Sequence, residues 1–118
     1  ILFTTKYNIN DIEALQKVQA LAKVFHSHID CLNVKPPYTV YKDDFVVDFK
    51  NVFKDQNVDF HSILSNDVEG VILNFIEQNK INMIAIHVKH KSFFQKLFEV
   101  SLSKKLAFHS NVPILSIQ

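Results

Sequence analysis

Apolar residues recur along the chain in two patterns: short continuous runs, and stretches with the spacing of a helix. The runs "ILFTT" (1–5) and "INMIAI" (81–86) are typical of strands covered on both faces of a parallel sheet. "IDCLNV" (29–34) and "VPILSI" (112–117) indicate two more strands. From Val58 to Ile63 apolar and polar residues tend to alternate, which predicts a half-exposed strand at a sheet edge.

Helical spacing separates these strands. Asn10 with Glu13, and Asn66 with Glu69, form capping-box patterns, so we expect Asn10 and Asn66 to be helix N-caps. The first helix is predicted to bury one face, made of Ala14, Leu15, Val18, Leu21, Ala22 and Phe25. The helix after Asn66 is predicted from an unbroken apolar stripe of Val68, Val71, Ile72, Phe75 and Ile76.

Two further helices complete the pattern, one over about residues 42–55 and one through "SLSKKLAFH" (101–109). Strands and helices then alternate from end to end. This order predicts an α/β protein with an open, doubly wound, five-stranded parallel sheet and helices on both faces. The 118 residues suit one domain over residues 1–118. Since Ile1 already lies in an apolar run without an initiator methionine, we expect a piece excised from a longer chain.

Composition removes several classes of function. Charged residues make up 21% of the chain, and the net charge of +1 gives no reason to expect nucleic acid. All 13 basic residues are lysine, so the bidentate phosphate contact of arginine is absent. No apolar run is long enough to cross a membrane. The chain has one glycine, Gly70, so no segment can form a glycine-rich loop around a phosphate.

Few residues suggest catalysis or metal binding. Cys31 lies in a predicted buried strand without a neighbouring base, so we interpret it as a core residue. Asp43, Asp44 and Asp48 are predicted on a solvated helix face. His87 and His90 form an "HxxH" pair that is either a metal site or a solvated loop at a strand exit, and the loop is favoured. His26 and His28 form an "HxH" pair with a structural interpretation, so no catalytic or metal residue is predicted.

Two long segments resemble the universal stress protein family. "ILFTTKYNINDIEALQKVQALAKVF" resembles the family's first strand, loop and helix. "KINMIAIHVKHKSFFQKLFEVSLSKKLAFHSNVPILSIQ" resembles its C-terminal third and ends in "HSNVPILSI". The resemblance implies strand order 3-2-1-4-5, a cytoplasmic location, dimers or tandem repeats and, in many members, bound ATP.

The residues that would bind ATP depart from the family's pattern. The motif of glycine, two residues, glycine, nine residues, glycine and serine or threonine falls on His87, His90, Val100 and Ser101, so that only Ser101 fits. The acidic residue expected after the first strand falls on Lys6. We therefore expect no cofactor and no ATP binding. The leading hypothesis is a non-catalytic dimerisation or regulatory module, and the abrupt start at Ile1 is compatible with the second half of a tandem protein.

Two expectations about binding follow. A basic group after strands one and four, made of Lys6, His87, Lys89, His90 and Lys91, could instead hold a nucleotide or a small anion, which makes a sensor the alternative function. The last strand is expected at a sheet edge, where it would pair with a second copy or with a second domain. The residues predicted to form that interface are Val112, Pro113, Ile114, Leu115 and Ile117.

Overall fold

A computed structural model describes residues 1–5, 10–37, 50–53, 57–87 and 112–117. In these ranges the chain forms a five-stranded sheet and two helices of more than two turns. The elements are β1 (Leu2–Thr4), α1 (Asn10–Val24), β2 (Ile29–Lys35), β3 (Val58–Leu64), α2 (Val68–Gln78), β4 (Ile84–His87) and β5 (Ile114–Ile117).

The five strands are all parallel and lie in the order β3-β2-β1-β4-β5. Phe3 of β1 is paired with Cys31 of β2 on one side and Ala85 of β4 on the other, so β1 is the central strand. This confirms the predicted fold class and strand order. The half-exposed strand predicted from Val58 to Ile63 is confirmed as the edge strand β3, and β5 forms the other edge.

The alternation of side chains along the strands divides the core between the two sheet faces. On one face, α1 packs against Phe3, Cys31 and Ala85. On the other face, α2 packs through Ile72, Phe75 and Ile76. Its partners there are Leu2, Leu32 and Ile84. Helices therefore cover both faces, as the doubly wound pattern predicts.

The end of α1 differs from the prediction at Phe25. The backbone nitrogens of His26 and Ser27 donate to the carbonyl oxygens of Lys23 and Ala22, which is the hydrogen-bond pattern of a Schellman motif. His26 adopts φ 51 and turns the chain towards β2. Phe25, predicted as part of the buried face, is 63% exposed because the helix has already ended at Val24. Ala14, Leu15, Val18 and Ala22 are buried as predicted.

Neither residue predicted as an N-cap occupies the cap position. Asn10 is the first helical residue of α1. At α2 the cap is Asp67 rather than Asn66, because Asp67 Oδ1 accepts from the backbone nitrogen of Gly70 at 2.9 Å. A Cβ atom on residue 70 would lie 2.2 Å from Asp67 Oδ2, so the single glycine leaves room for this cap.

Two predicted helices fall largely outside the described residues. Of the helix expected over 42–55, residues 50–52 are helical and Phe53 is buried against the α1 face of the sheet. The helix expected over 101–109 lies outside the described ranges, as do Asp43, Asp44 and Asp48. None of the helices that the structure describes has the length and apolar character needed to span a bilayer.

Candidate functional site

Four side chains form a row across the carboxyl ends of the strands, on the face covered by α1. His87 is paired with Ile117, and the backbone nitrogen of Thr5 donates to Leu32 at 3.0 Å, which sets Thr5 opposite Asn33. The pairing of Phe3 with Ala85, two residues earlier, sets Thr5 opposite His87. The row is therefore Asn33, Thr5, His87 and Ile117. In open α/β sheets ligands bind at this edge, where the strand order reverses between β1 and β4.

Asp11, in the first turn of α1, lies against the middle of this row. Its Oδ2 atom accepts a hydrogen bond from Thr5 Oγ1 at 2.8 Å. Its Oδ1 atom lies 2.7 Å from Nδ1 of His87. Since an ionised carboxylate only accepts hydrogen bonds, Nδ1 of His87 carries the proton. One carboxylate thus connects α1 to the ends of β1 and β4.

The group is shielded from solvent. The side chains of Asp11 and His87 are 7% and 13% exposed, and Thr5 is buried. Asp11 also places a negative charge at the amino end of α1, where the helix dipole is positive. Glu13 adds a second acid to the same turn. The amino end of α1 is therefore already neutralised by its own side chains.

This arrangement lacks the order of a nucleophilic triad. In such a triad the histidine lies between the hydroxyl and the carboxylate and removes the hydroxyl proton. Here the carboxylate of Asp11 lies between Thr5 and His87, so the threonine hydroxyl donates to the acid rather than to the imidazole. The geometry holds side chains together and does not activate Thr5.

Cys31 is similarly unsuited to nucleophilic chemistry. It is fully buried beneath α1. Burial raises the pKa of the Cys31 thiol well above its ordinary value, and the carboxylates of Asp30 and Asp11 raise it further. The thiol therefore stays protonated, in agreement with its interpretation as a core residue.

Asn33 contributes an unusual polar group to the row. The residue is 1% exposed, and its Nδ2 atom has no hydrogen-bond partner among the described residues. A buried amide without a partner is costly, so such a group in a native protein requires an explanation. Its place beside Thr5 makes it a donor directed to the α1 side of the sheet edge.

Of the residues predicted for the ATP or anion site, the structure places His87 in this row. His87, predicted in a solvated loop, is the last residue of β4, and its imidazole is largely buried against Asp11. That prediction was wrong, because the strand continues one residue beyond the apolar run and an acid from α1 covers the ring. The predicted site residues that lie outside the described part of the chain are Lys6, Lys89, His90, Lys91, Val100 and Ser101.

Sequence reasoning did not identify Thr5 or Asp11 as site residues. The family resemblance predicts an acidic residue immediately after β1, where Lys6 stands. The acid instead comes from the first turn of α1, and its side chain returns to the strand end. The signal for it was an aspartate in the first turn followed by a buried helical stripe, a pattern that equally describes helix capping.

The β5 edge carries the residues predicted to contact a partner. Ile117 is buried in the core on the α1 face, and Leu115 packs against the same core. Val112 packs against the core on the α2 face, whereas Pro113 and Ile114 are exposed. The carbonyl oxygen of Pro113 accepts from Ile84, so the alternation of the strand turns the polar backbone groups of Ile114 and Ser116 away from β4.

The two histidines of the "HxH" pair occupy different surroundings. His26 is exposed at the end of α1. His28 lies immediately before β2, and its ring contacts Asn57 and Asp59 at the start of β3. The structure does not bring the two rings to one site.

Comparison with known proteins supports the fold. No family model matches the chain, and no curated protein matches it. Among solved structures, a universal stress protein in complex with cAMP aligns with a TM-score of 0.69 and 11% identity, covering 99% of this chain and 94% of that one. A universal stress protein from Archaeoglobus fulgidus in complex with dAMP aligns with a TM-score of 0.64 and 12% identity, covering 99% and 95%.

A third solved structure agrees with these two. A protein from the universal stress protein family of Burkholderia pseudomallei aligns with a TM-score of 0.63 and 14% identity, covering 98% of this chain and 93% of that one. Since these alignments extend over nearly the whole of both chains, the similarity is not confined to a common βαβ unit. The chain therefore has the fold of the universal stress proteins.

Proposed function

We propose that this chain is a non-catalytic module of the universal stress protein type that does not bind ATP and acts by association with a second such domain. The observation that carries the proposal is the contact of Asp11 with both Thr5 and His87 at the carboxyl edge of the sheet. In the family resemblance, His87 stands where ATP-binding members have the first glycine of their motif.

Two physical effects at this edge oppose a triphosphate. The imidazole of His87 occupies space that a glycine would leave free, and its protonated nitrogen is already used by Asp11. The carboxylate of Asp11 places negative charge at the end of α1 where a phosphate would otherwise be attracted. A bound phosphate would have to displace an acid that is buried and hydrogen-bonded on both oxygens.

Loss of the nucleotide leaves association as the function that the chain supports best. β5 is an edge strand with its outward backbone groups at Ile114 and Ser116, and the exposed side chain of Ile114 accompanies them. Such an edge pairs readily with another strand. The partner would be a second copy or a second domain of the same fold. The buried cysteine is compatible with a cytoplasmic location.

Substitution of Ser116 tests the association. Ser116→Pro removes an outward backbone N–H, whereas the hydrogen bonds between β4 and β5 keep their donors and acceptors. Light scattering after gel filtration should report a dimer for the original chain and a monomer for Ser116→Pro. The control Ser116→Ala keeps the N–H and should stay dimeric. A monomeric original chain at high micromolar concentration would contradict the proposal.

A ligand panel separates the proposal from the sensor alternative. Thermal unfolding is measured with ATP and magnesium, with AMP, and with phosphate or sulfate, since a ligand that binds the folded state raises the midpoint. The proposal predicts no shift with any nucleotide. Stabilisation that is lost in the double variant Lys6→Ala, Lys89→Ala would instead favour the anion sensor.

A further inference from the structure

A second group of polar side chains lies at the other end of the strands, beside the amino ends of β2 and β3. His28 precedes β2, and Asp30 of β2 is paired with Asp59 of β3. One ligand atom from each of the three residues lies within 4.8 Å of the other two. His28 Nε2 is 2.9 Å from Asp59 Oδ2 and 3.6 Å from Asp30 Oδ1. This group lies at the amino ends of the strands, whereas the row that contains Thr5 and His87 lies at their carboxyl ends.

The proton on His28 is placed by its neighbour Asn57. Nδ1 of His28 lies 2.8 Å from Oδ1 of Asn57, an oxygen that can only accept a hydrogen bond. The amide is oriented in turn by Asn57 Nδ2, which donates to the carbonyl oxygen of Ser27 at 3.5 Å. Nδ1 therefore holds a proton, and Nε2 is the atom directed at the two carboxylates. Metal-binding histidines are commonly fixed in this way by a partner on their other nitrogen.

Asp30 is also held by a neighbour. His61 of β3 places its Nε2 atom 3.0 Å from Asp30 Oδ1, and its ring packs edge-on against Phe75 of α2 at 4.9 Å. The side chain of Asp30 is 16% exposed, so this carboxylate is partly shielded while Asp59 remains open to solvent. A hydrogen-bonded carboxylate and a hydrogen-bonded imidazole thus face one solvent-exposed carboxylate.

We propose that His28, Asp30 and Asp59 bind a divalent cation of the zinc class, through Nε2 of His28 and one oxygen of each carboxylate. Metal–ligand bonds of 2.0–2.1 Å in a tetrahedron separate adjacent ligand atoms by about 3.3 Å. This separation lies between the distances from Nε2 of His28 to the two carboxylates, 2.9 Å to Asp59 and 3.6 Å to Asp30. Three protein ligands leave positions for water, and the exposure of His28 and Asp59 gives the ion access.

The ligand types select among cations. Imidazole nitrogen suits zinc, copper, nickel and cobalt, whereas magnesium and calcium prefer oxygen ligands alone. Without a metal, a contact of 2.9 Å between Nε2 of His28 and a carboxylate oxygen is a hydrogen bond that Nε2 donates. The competing interpretation is thus an imidazolium ion paired with Asp30 and Asp59, and it predicts no stoichiometric zinc binding.

Competition with a coloured zinc chelator tests the site in the full chain. The original chain should take up one Zn²⁺ per molecule, and His28→Ala and Asp59→Asn should each weaken the affinity at least about tenfold. The matched control is His26→Asn, which removes an exposed imidazole two positions away and keeps a residue type that tolerates positive φ. It should bind like the original chain. Magnesium should not compete at equal concentration.

Nitrogen NMR of the histidine side chains identifies the atom that binds. Zinc should shift the Nε2 signal of His28 and leave Nδ1 protonated. His61→Phe should weaken zinc binding about tenfold, and the metal should still bind Nε2 of His28 in this variant. Circular dichroism checks that each variant is folded. Absence of stoichiometric binding in the original chain, or equal binding by folded His28→Ala, would overturn the proposal.

Discussion

Nδ1 of His87 lies 2.7 Å from Oδ1 of Asp11, across 76 positions of the sequence. The contact joins the end of the fourth strand to the start of the first helix, and Thr5 holds the other oxygen of the same carboxylate. A shielded hydrogen bond to a carboxylate constrains both elements, because removal of either partner leaves a buried polar group without its partner.

Removal of Asp11 should destabilise the protein. Asp11→Ala leaves the imidazole of His87 and the hydroxyl of Thr5 without their acceptor, so we expect the free energy of unfolding to fall by about 3 kcal/mol. Urea unfolding measures this. Glu13→Ala, an exposed acid of the same turn, should change the free energy of unfolding by less than about 0.5 kcal/mol. With His87→Ala, a double-mutant cycle should give a coupling energy above about 1 kcal/mol, and additive effects would refute the pair.

The cap of α2 should be assignable by two neighbouring substitutions. Asp67→Ala removes the acceptor for the backbone nitrogen of Gly70, and we expect it to lower the free energy of unfolding by about 1 kcal/mol. Asn66→Ala, at the position that the sequence pattern favoured, should lower it by less than about 0.5 kcal/mol. Chemical denaturation distinguishes the two, and a larger effect at Asn66 would show that the cap is misassigned.

Lys80 should be a site for stabilisation. It adopts φ 52 one residue after Asn79, the C-cap of α2, and the nitrogen of Ile81 donates to the carbonyl oxygen of Ile76. A left-handed conformation strains any residue with a Cβ atom, so Lys80→Gly should raise the free energy of unfolding by about 1 kcal/mol. The control Gln78→Gly, in the helix, should lower it by about 1 kcal/mol. Thermal and urea unfolding should agree, and destabilisation by Lys80→Gly would be inconsistent with this geometry.

Cys31 should be protected in the folded protein. A thiol reagent such as a disulfide dye should react with it only after addition of denaturant, because the thiol is buried and its pKa is raised. In the unfolded chain the thiol has its ordinary pKa of 9.0. Above that pH, unfolding releases a proton, so the free energy of unfolding should fall by up to about 1.4 kcal/mol per pH unit relative to Cys31→Ala. Rapid native labelling, or identical pH profiles, would argue against burial.

The sequence alone predicted the fold more completely than the site. Continuous apolar strands and helical stripes such as Ile72, Phe75 and Ile76 follow from periodicity, and the structure confirms the parallel sheet and its order. The contact of Asp11 with His87 depends on how α1 returns to the sheet, and the approach of His28 to Asp59 depends on the register of β2 and β3. Such long-range contacts leave no local pattern in the sequence.

The helix ends show a different limit of prediction from sequence. Asn66 and Asp67 are both good capping residues, so the pattern alone could not choose between them. The choice depends on Gly70, whose missing Cβ atom leaves space for the carboxylate of Asp67. At the end of α1, Phe25 continued the apolar spacing, but the left-handed turn at His26 ended the helix before it. In both cases one residue decided the outcome, Gly70 by its missing Cβ atom and His26 by its left-handed backbone.

The most direct test of the account is calorimetric titration of the chain with ATP and magnesium. The space filled by His87 and the charge of Asp11 predict no measurable heat of binding up to millimolar ATP, and a universal stress protein with an intact glycine motif serves as the positive control. Saturable binding of ATP with micromolar affinity would contradict the proposal that this chain has lost the nucleotide and acts through association.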